Sequence, residues 1–367
     1  MAVKNDVTYM SRALELAAKG KGQTSPNPMV GAVVVSGGKI VGEGYHKKAG
    51  TDHAEIVALK KAGKKSVGAT LYVNLEPCSH TGKTGPCTES VISAGIRRVV
   101  YASNDPDKRV SGKGADKLRR AGIKVTSRIL AREAEQLNEC YLFSQRHQRP
   151  FVILKLAQSL DGRIATSTGD SKWISSDDCR RLVHALRSEV DAVVVGAETV
   201  RRDNPKLTVR HVKGRSPYRI VLVGKSPIPT TRHILSDNTD HKTIVAVTKS
   251  QALTQPLNHI KRHGVDIWKL PGKGNQVDPK AFLREADRRS IRSILVEGGS
   301  AIATSFLQQK LVDKLILITA PRLIGDGQNS VGDLRISRIA DSISFDRESR
   351  FELGGDQVFV GYPIWRR

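Results

Sequence analysis

Apolar residues recur at helical spacing near the start of the chain and at strand spacing soon after it. Over 8–19 they follow an i, i+3, i+4, i+7 pattern, which predicts an amphipathic helix that ends at Gly20. The runs VGAVVV and KIVGEGY then flank a Ser-Gly-Gly turn. Two such runs around a glycine turn predict a β-hairpin.

The pattern continues to alternate between helix and strand. In order, the sequence predicts a helix capped by Thr51 or Asp52 and ended by Gly63, a strand at 70–75, a helix with Pro86 at its first position that stops at Gly95, a strand at 97–102, and a helical stretch near 131–145. Strands that alternate with helices indicate an α/β sandwich.

A polar, basic stretch runs into Pro150 and is followed by a second series of apolar runs. PFVILKLAQS is typical of a buried strand. Further strands are predicted at DAVVVGAETV, YRIVLVG, KTIVAVT, VDIWKL, SILVEGGS and DKLILITAP, with helical patterns at 177–188 and 278–290 between them. We therefore predict two α/β domains, residues 1–147 and residues 148–367.

Composition narrows the class of protein. The 367 residues suit two domains, and an apolar share of 39% is typical of a globular protein. We find no apolar run of about 18 residues and no signal-peptide core. Four cysteines, two of them in one motif, argue against a disulfide framework. These features predict a cytoplasmic protein without a membrane partner.

The net charge of +24 is spread over both halves of the chain. It is compatible with anionic substrates or with nucleic acid. A solvated basic surface explains it equally simply, and we favour that explanation. The charge therefore leaves the partner open.

One histidine, one glutamate and two cysteines point to metal chemistry. DHAEIVALKKAG supplies His53 and Glu55, and LEPCSHTGKTGPC supplies Cys78 and Cys87. His53 and Cys87 fall in the first turns of predicted helices, whose positive ends favour thiolates. One histidine and two cysteines leave the fourth tetrahedral position of a zinc ion to water. This ligand set is typical of a catalytic zinc site.

Zinc lowers the pKa of a bound water towards neutrality, so hydroxide becomes available as a nucleophile. Glu55 is not a ligand, and it can carry the proton of that water to a departing amine. His-x-Glu followed by Pro-Cys and a second Cys is typical of zinc nucleobase deaminases. The alternative is a histidine at a helix start near two buried cysteines. Spacing, capping and proline positions together favour zinc.

A glycine pair after a predicted strand suggests a nucleotide site. In VEGGSAIATSF a strand ends at Glu297, two glycines allow close approach of a ligand, and a helix is expected after Ser300. Free N–H groups at a helix start suit phosphate. Gly-Gly loops are common, so this segment alone decides nothing. No GxGxxG follows the first strand of this half, which disfavours a Rossmann fold.

Both halves resemble the bifunctional deaminase/reductase family of riboflavin biosynthesis. The first half does so through TSPNPMVGAVVV, GEGYHKKAGTDHAE and LEPCSHTGKTGPC. The second does so through KLAQSLDGRIATSTGDSKWISS, RRLVHALRSEVDAVVVGAETVRRDNPKLTVR and ILVEGGS. The resemblance implies an α/β fold with two domains, an N-terminal cytidine-deaminase-like α/β/α sandwich and a C-terminal dihydrofolate-reductase-like α/β domain.

The resemblance also implies two activities. The first is zinc-dependent hydrolytic deamination of 2,5-diamino-6-ribosylamino-4(3H)-pyrimidinone 5′-phosphate. The second is NADPH-dependent reduction of the ribosyl group of 5-amino-6-(5-phosphoribosylamino)uracil to the ribitylamino product. Its partners would be small phosphorylated pyrimidines and further copies of the chain in a homo-oligomer, without nucleic acid.

In the deaminase half, the resemblance makes Glu55 catalytic and His53, Cys78 and Cys87 zinc ligands. It assigns substrate contacts to Asn27, His46, His80 and Lys83. One departure is visible, because Gly85 stands where the family commonly has proline. Glycine loosens this loop without removing a ligand, so we expect activity to survive.

In the reductase half, the resemblance assigns cofactor contacts to Ala157, Trp173, Thr199, Asp203, Gly299, Ser300, Ala301, Ile302, Ala303, Thr304 and Ser305. It assigns substrate contacts to Ser171, Arg187, Leu207, Arg210 and Glu297. Guanidinium groups bind phosphate in a bidentate manner, which suits the two arginines. Each of these residues alone also has a structural explanation. Lys225 is a candidate for the cofactor 2′-phosphate, and Glu297 is the nearest candidate acid or base.

Two other functions stay open at this point. A deaminase that edits nucleic acid would use the basic surface, but the long spacer between the cysteines and the whole second half weigh against it. A non-catalytic regulatory subunit is disfavoured by the intact set of His53, Glu55, Cys78 and Cys87.

Overall fold

A computed structural model describes residues 2–79, 85–107, 110–224, 226–254, 257–261 and 263–365 of the chain. The chain divides into two compact units, Met1–Gln148 and Arg149–Arg367. His80 and Lys83, to which the family resemblance assigns substrate contacts, and the candidate Lys225 lie outside the described residues.

The first unit is built on a five-stranded sheet. Its strands are β1 (Gly31–Ser36), β2 (Lys39–Tyr45), β3 (Thr70–Leu75), β4 (Arg98–Ser103) and β5 (Lys124–Ser127). Its helices are α1 (Ala2–Ala18), α2 (Ala54–Ala62), α3 (Cys87–Ser93), α4 (Lys113–Arg120), α5 (Ala131–Leu137) and α6 (Glu139–His147). The strand order is β2-β1-β3-β4-β5, with β1 antiparallel to both neighbours and β3, β4 and β5 parallel.

Alternation along each strand divides the apolar side chains between two layers. Ala32 and Val34 join the core beneath α2, α3 and α4, whereas Val33 and Val35 join the core beneath α1 and α5. Successive side chains of a strand point to opposite faces, so a run of apolar residues can bury both faces. The unit is therefore a three-layer α/β/α sandwich, as expected from the sequence.

Most predicted elements of this unit are confirmed, with errors at their ends. The N-cap of α2 is His53, not Thr51 or Asp52, and Pro86 is the N-cap of α3, not its first residue. The helical stretch near 131–145 is two helices that meet at Asn138. The buried Asn138 side chain bonds to the backbone N–H and carbonyl of Met29, at 2.8 and 2.9 Å. This contact joins residues 109 positions apart, so no local sequence pattern predicts the break between the two helices at Asn138.

The second unit has a larger sheet with helices inserted between its strands. Its strands are β6 (Phe151–Ser159), β7 (Arg163–Thr166), β8 (Ala192–Gly196), β9 (Tyr218–Leu222), β10 (Thr243–Thr248), β11 (Asp266–Leu270), β12 (Gly272–Lys273), β13 (Gln276–Val277), β14 (Ser293–Val296), β15 (Lys314–Ala320), β16 (Gly327–Asn329), β17 (Ser344–Leu353) and β18 (Asp356–Ile364). Its helices are α7 (Asp177–Glu189), α8 (Ala197–Asp203), α9 (His233–Ser236), α10 (Lys249–Thr254), α11 (Asn258–Lys261), α12 (Pro279–Arg288) and α13 (Ser300–Gln308).

Nine of these strands form one sheet in the order β11-β10-β9-β8-β14-β6-β15-β18-β17. The first seven are parallel, and β18 and β17 continue the sheet antiparallel. Val152, Leu154 and Leu156 of β6 are part of its main hydrophobic core. Ligand sites of open parallel sheets lie at the carboxyl ends of the strands. In this unit those ends carry the glycines 196, 224 and 298–299.

Candidate active sites

His53, Cys78 and Cys87 converge in the first unit. His53 Nδ1 lies 3.0 Å from Cys87 Sγ and 3.7 Å from Cys78 Sγ, and the three ligand atoms lie within 4.8 Å of one another. The backbone N–H of Cys87 also donates to Cys78 Sγ at 3.4 Å. Ligand atoms around a tetrahedral zinc lie about 3.5–4 Å apart. The donor set and its spacing therefore fit zinc.

Close packing of α2 on β2 places the histidine. A Cβ atom on Gly44 would come within 2.5 Å of the Ala54 carbonyl oxygen, so only glycine lets the first turn of α2 lie against the strand. His53 has an extended backbone at the N-cap and projects from the end of the helix. Cys78 follows the carboxyl end of β3, and Cys87 is the first residue of α3. Two helix starts and one strand end thus meet at one point.

Glu55 lies beside this cluster in a buried position. Its side chain is buried, and its Oε2 atom has no hydrogen-bond partner. Burial raises the pKa of its carboxyl group. A side-chain hydrogen bond from the Cys87 thiol lowers the pKa of Cys78 to about 4, and the same bond raises the pKa of Cys87. A carboxyl group with a free oxygen and a raised pKa is suited to accept and return a proton.

Asn27 and His46 are connected to the cluster. The Asn27 amide Nδ2 lies 3.1 Å from His46 Nε2, and His46 Nδ1 lies 3.1 Å from the Asp52 carbonyl oxygen. A carbonyl oxygen only accepts, so Nδ1 carries the hydrogen and Nε2 accepts from the amide. Burial lowers the pKa of His46, which keeps the ring neutral. The rings of His46 and His53 pack edge to face, with centroids 5.5 Å apart.

A cavity of about 680 Å³ lies at the carboxyl ends of strands in the second unit. Eight of the predicted site residues line it, namely Ser171, Thr199, Asp203, Gly299, Ser300, Ala301, Ile302 and Ser305. Ser171 Oγ lies 3.5 Å from Asp203 Oδ1. Gly299 is the N-cap of α13, so this helix begins at Ser300 rather than after it. The free N–H groups of its first turn can bind phosphate.

The other four predicted cofactor residues are not among the described residues that line this cavity. They are Ala157, Trp173, Ala303 and Thr304. Ala303 is fully buried in the hydrophobic core. Thr304 Oγ1 donates to the Ser300 carbonyl oxygen and accepts from the Gly332 N–H, both at 2.7 Å. Trp173 is 64% exposed and lies under the Arg180 guanidinium group.

A cluster of buried charges involves two of the predicted substrate residues. Arg187 donates two hydrogen bonds to the Glu297 carboxylate, at 2.7 and 2.9 Å. Lys155 Nζ lies 3.7 Å from the same carboxylate. Burial opposes ionisation of Glu297, but the charges of Arg187 and Lys155 outweigh it and lower its pKa to about 2. Burial lowers the pKa of Lys155 despite its anionic neighbour.

The loop 207–210 contacts the charge cluster. The Arg187 Nη1 group donates to the Thr208 carbonyl oxygen at 3.4 Å. The Arg210 backbone N–H donates to His184 Nδ1 at 3.0 Å. Burial, followed by the charge of Arg187, lowers the pKa of His184 to about 4, so the ring is a neutral acceptor. Leu207 is buried and adopts a left-handed backbone conformation.

Comparisons with known proteins bear on both units. Residues 150–354 match the model of the RibD C-terminal domain, and residues 3–103 match that of the cytidine and deoxycytidylate deaminase zinc-binding region. The riboflavin biosynthesis protein RibD of Aquifex aeolicus is 45% identical over 354 residues, which cover 96% of this chain and 97% of the relative. The chain belongs to the RibD family. RibD of Escherichia coli is 38% identical over 96% of this chain and 97% of its own length.

Solved structures of the RibD family show the same fold over the full chain. Acinetobacter baumannii RibD superposes with a TM-score of 0.90 at 34% identity, covering 99% of this chain and all of its own. A Thermotoga maritima diaminohydroxyphosphoribosylaminopyrimidine deaminase/5-amino-6-(5-phosphoribosylamino)uracil reductase superposes with a TM-score of 0.86 at 36% identity, with the same coverage. The predicted fold class and the deaminase and reductase activities are thereby confirmed, as are the cofactors zinc and NADPH.

The cavity fits a dinucleotide. Its volume of about 680 Å³ lies within the usual range of about 300–1,000 Å³ for ligand pockets. A Cβ atom on Gly299 would meet its nearest atoms only at 3.8 Å, so the glycine leaves open space in front of the first turn of α13. Gly196 and Gly224 keep the neighbouring strand ends free of side chains. These residues can bring backbone close to the NADPH pyrophosphate.

Sequence reasoning missed several residues of these sites. Lys155 could have been noticed, because it is the single charge inside the apolar run FVILKLA. The hairpin β12–β13 and Gln328 of β16 also line the cavity. Their sequence is polar and glycine-rich, as in any surface loop, so no local signal marks them. None of the helices among the described residues has the length and apolarity needed to cross a membrane.

Proposed function

We propose that this RibD-family chain catalyses two consecutive steps of riboflavin synthesis. The first is hydrolytic deamination of 2,5-diamino-6-ribosylamino-4(3H)-pyrimidinone 5′-phosphate. The second is reduction of the ribosyl group of 5-amino-6-(5-phosphoribosylamino)uracil to the ribitylamino product. The T. maritima neighbour carries the names of both activities and aligns over 99% of this chain. The single observation that carries the proposal is the convergence of His53, Cys78 and Cys87 beside a buried glutamate.

We assign the first step to residues 1–147, with His53, Cys78 and Cys87 as metal ligands. Zinc, when bound there, makes a water molecule nucleophilic near neutral pH. Glu55 takes a proton through its unpaired Oε2 and returns it to the departing nitrogen. The balance is one water consumed and one ammonia released, as a C–O bond replaces a C–N bond. The raised pKa of Glu55 lets it serve as base and then as acid within one turnover.

Asn27 and the neutral His46 are positioned to orient the pyrimidine. The hydrogen bonds from the Asp52 carbonyl through His46 to Asn27 fix both side chains in one orientation. Side chains already held in place lose little rotamer entropy when the substrate binds. This arrangement supports a role in substrate positioning.

We assign the second step to residues 148–367. NADPH, when bound in this unit, would supply the hydride for C1′ of the ring-opened imine. The imine nitrogen must gain a proton in the same step. Glu297 is a poor donor, because Arg187 and Lys155 hold it ionised. The ammonium group of Lys155, whose pKa burial lowers, is the better donor. Arg187 and Arg210 are the candidates for the substrate phosphate.

The proposal extends to location and assembly. None of the four cysteines forms a disulfide, which is consistent with a reducing cytoplasm. The homo-oligomer implied by the family resemblance predicts a mass of two or more chains by light scattering. The mass of a single chain at working concentrations would contradict it.

One experiment tests both steps. The zinc-loaded full-length protein is given the diamino substrate, and ammonia release and NADPH oxidation are followed separately. We expect ammonia without NADPH, and both products when NADPH is present. The variant Lys155→Met should release ammonia normally and lose NADPH oxidation. Absence of ammonia with the diamino substrate, or faster release from single-stranded DNA or tRNA, would contradict the proposal.

A further inference from the structure

The charge cluster of the second unit is not part of the described lining of the cavity, and the sheet order separates this cluster from the far end of the cavity. The charge cluster of Lys155, Arg187 and Glu297 lies at β6 and β14, where the proposed reduction takes place. The cavity extends from β14 across the ends of β8 and β9 to the hairpin β12–β13 beside β10. Three strand spacings of about 4.8 Å separate β14 from β10, or about 14 Å. The hairpin therefore lies at the end remote from the substrate.

This layout sets the direction of the cofactor. The nicotinamide must reach the substrate, so it belongs at the end of the cavity towards β6, which Ile164 and Ala165 of β7 line. The first turn of α13, directly after β14, suits the pyrophosphate. The adenosine half then occupies the remaining part of the cavity, over β8 and β9 and towards the hairpin. The hairpin is thus the surface that the adenine ribose and its 2′-phosphate meet.

The hairpin is held in place by backbone contacts. Gly272 pairs with Val277, and Lys273 pairs with Gln276. A Cβ atom on Gly272 would come within 2.1 Å of the Gln276 carbonyl oxygen and within 2.8 Å of Thr248, the last residue of β10. Glycine is therefore required for the hairpin to pack against the strand end. Its neighbour Lys273 is placed on the cavity wall by this packing.

Among the described residues, three cations line the cavity, and two of them are already paired. Arg201 and Arg202 both donate to the Glu198 carboxylate at 2.6 Å. Arg201 Nη1 also donates to the Ser226 carbonyl oxygen at 2.8 Å. Within the described part of the chain, Lys273 has no ion pair within 4.0 Å. Its ammonium group is exposed and is the cation left to meet an added negative charge.

We propose that Lys273 selects NADPH over NADH by pairing with the 2′-phosphate of the adenine ribose. This inference rests on the proposed reductase function and identifies a specificity residue for it. The ammonium gains an ion pair only when the extra phosphate is present, so it discriminates between the two cofactors. The paired Arg201 holds the loop after β9 in position at the same site.

The test compares Lys273→Gln with Lys280→Gln, an exposed lysine that does not line the cavity. In the full-length protein, we expect Lys273→Gln to lower the NADPH/NADH ratio of kcat/KM by about 10- to 100-fold, as is usual for loss of a hydrogen bond to a charged group. Lys280→Gln should keep the parent ratio. Lys225→Gln is measured in parallel, because Lys225 follows β9.

Calorimetric titration with 2′,5′-ADP and 5′-ADP gives a readout independent of catalysis. Lys273→Gln should reduce the preference for 2′,5′-ADP by the same factor. An unchanged preference, or a loss confined to Lys225→Gln, would overturn the role of Lys273. A parent protein that binds 2′,5′-ADP with a Lys273-dependent preference but does not reduce the deaminated substrate would uphold this inference and contradict the proposed function instead.

Discussion

Replacement of Glu297 by glutamine tests the buried charge cluster of the reductase unit. Its carboxylate accepts two hydrogen bonds from Arg187 and lies 3.7 Å from Lys155 Nζ. Glutamine keeps the shape of the side chain and removes its charge. Two buried cations are then left without their shared anion, and the cost of that change can be worked out in two ways.

The first route uses the pKa of Glu297, which is lowered from 4.5 to about 2. Each pKa unit corresponds to about 1.4 kcal/mol, so the shift represents about 3 kcal/mol of stabilisation. The second route uses the known cost of removing one partner of a buried ion pair, about 3–5 kcal/mol. The two agree. We expect Glu297→Gln to lower the free energy of unfolding by about 3 kcal/mol at neutral pH.

The pH dependence of this effect has a fixed sign. The folded pKa of Glu297 is depressed, so its stabilisation is fully present above about pH 4.5 and is lost as the pH falls towards 2. The difference between parent and variant should shrink over that interval. A difference that stays constant would mean that the lost charge is not its cause.

The assay uses the position of the tryptophans. All three tryptophans of the chain, Trp173, Trp268 and Trp365, belong to the second unit. Tryptophan fluorescence in urea therefore follows the unfolding of that unit. Lys155→Met is the matched control, because it removes a buried cation and leaves Glu297 paired with Arg187. It should destabilise less than Glu297→Gln. A loss below about 1 kcal/mol for Glu297→Gln would refute this view of the cluster.

Three further predictions address other parts of the chain. Burial lowers the pKa of His184 to about 4, so its neutral ring stabilises the fold above about pH 6.5. This stabilisation is lost as the pH falls to about 4. Over that interval, the free energy of unfolding measured by fluorescence should fall by about 3 kcal/mol more for the parent than for His184→Gln. A Cβ atom on Gly31 would lie 2.1 Å from the Ala13 carbonyl oxygen, so Gly31→Ala should destabilise the deaminase unit by about 1–3 kcal/mol in denaturation followed by circular dichroism. Removal of zinc by a chelator should abolish ammonia release and spare NADPH oxidation with the deaminated substrate, because no ligand of the cluster belongs to the reductase unit.

The metal cluster could be predicted from the sequence because its determinants are local. His53 and Glu55 are two positions apart, and both cysteines follow within 34 residues in segments with clear prolines and glycines. The strand and helix signals between them place all four residues at element ends. The exact caps were missed, since several neighbouring residues can cap a helix and tertiary contacts choose among them.

The charge cluster and the cavity wall could be predicted only in part. Arg187 and Glu297 are 110 residues apart, and their contact depends on the order of strands in the sheet. The family resemblance indicated Arg187 and Glu297 as site residues. It indicated neither their ion pair nor Lys155, the third member of the charge cluster. The hairpin that carries Lys273 packs on β10 through backbone contacts at Gly272, which have no counterpart in a hydrophobic pattern.

Ammonia release by the Glu55→Gln variant, with bound zinc measured in the same sample, tests whether Glu55 carries the proton. We expect one zinc per chain, ammonia release lowered by about 10²–10⁴-fold, and unchanged NADPH oxidation with the deaminated substrate. The control Glu89→Gln removes an exposed carboxylate from the first turn of α3 and should release ammonia at the parent rate. Full ammonia release by zinc-loaded Glu55→Gln would contradict the claim that this buried carboxyl group carries the proton.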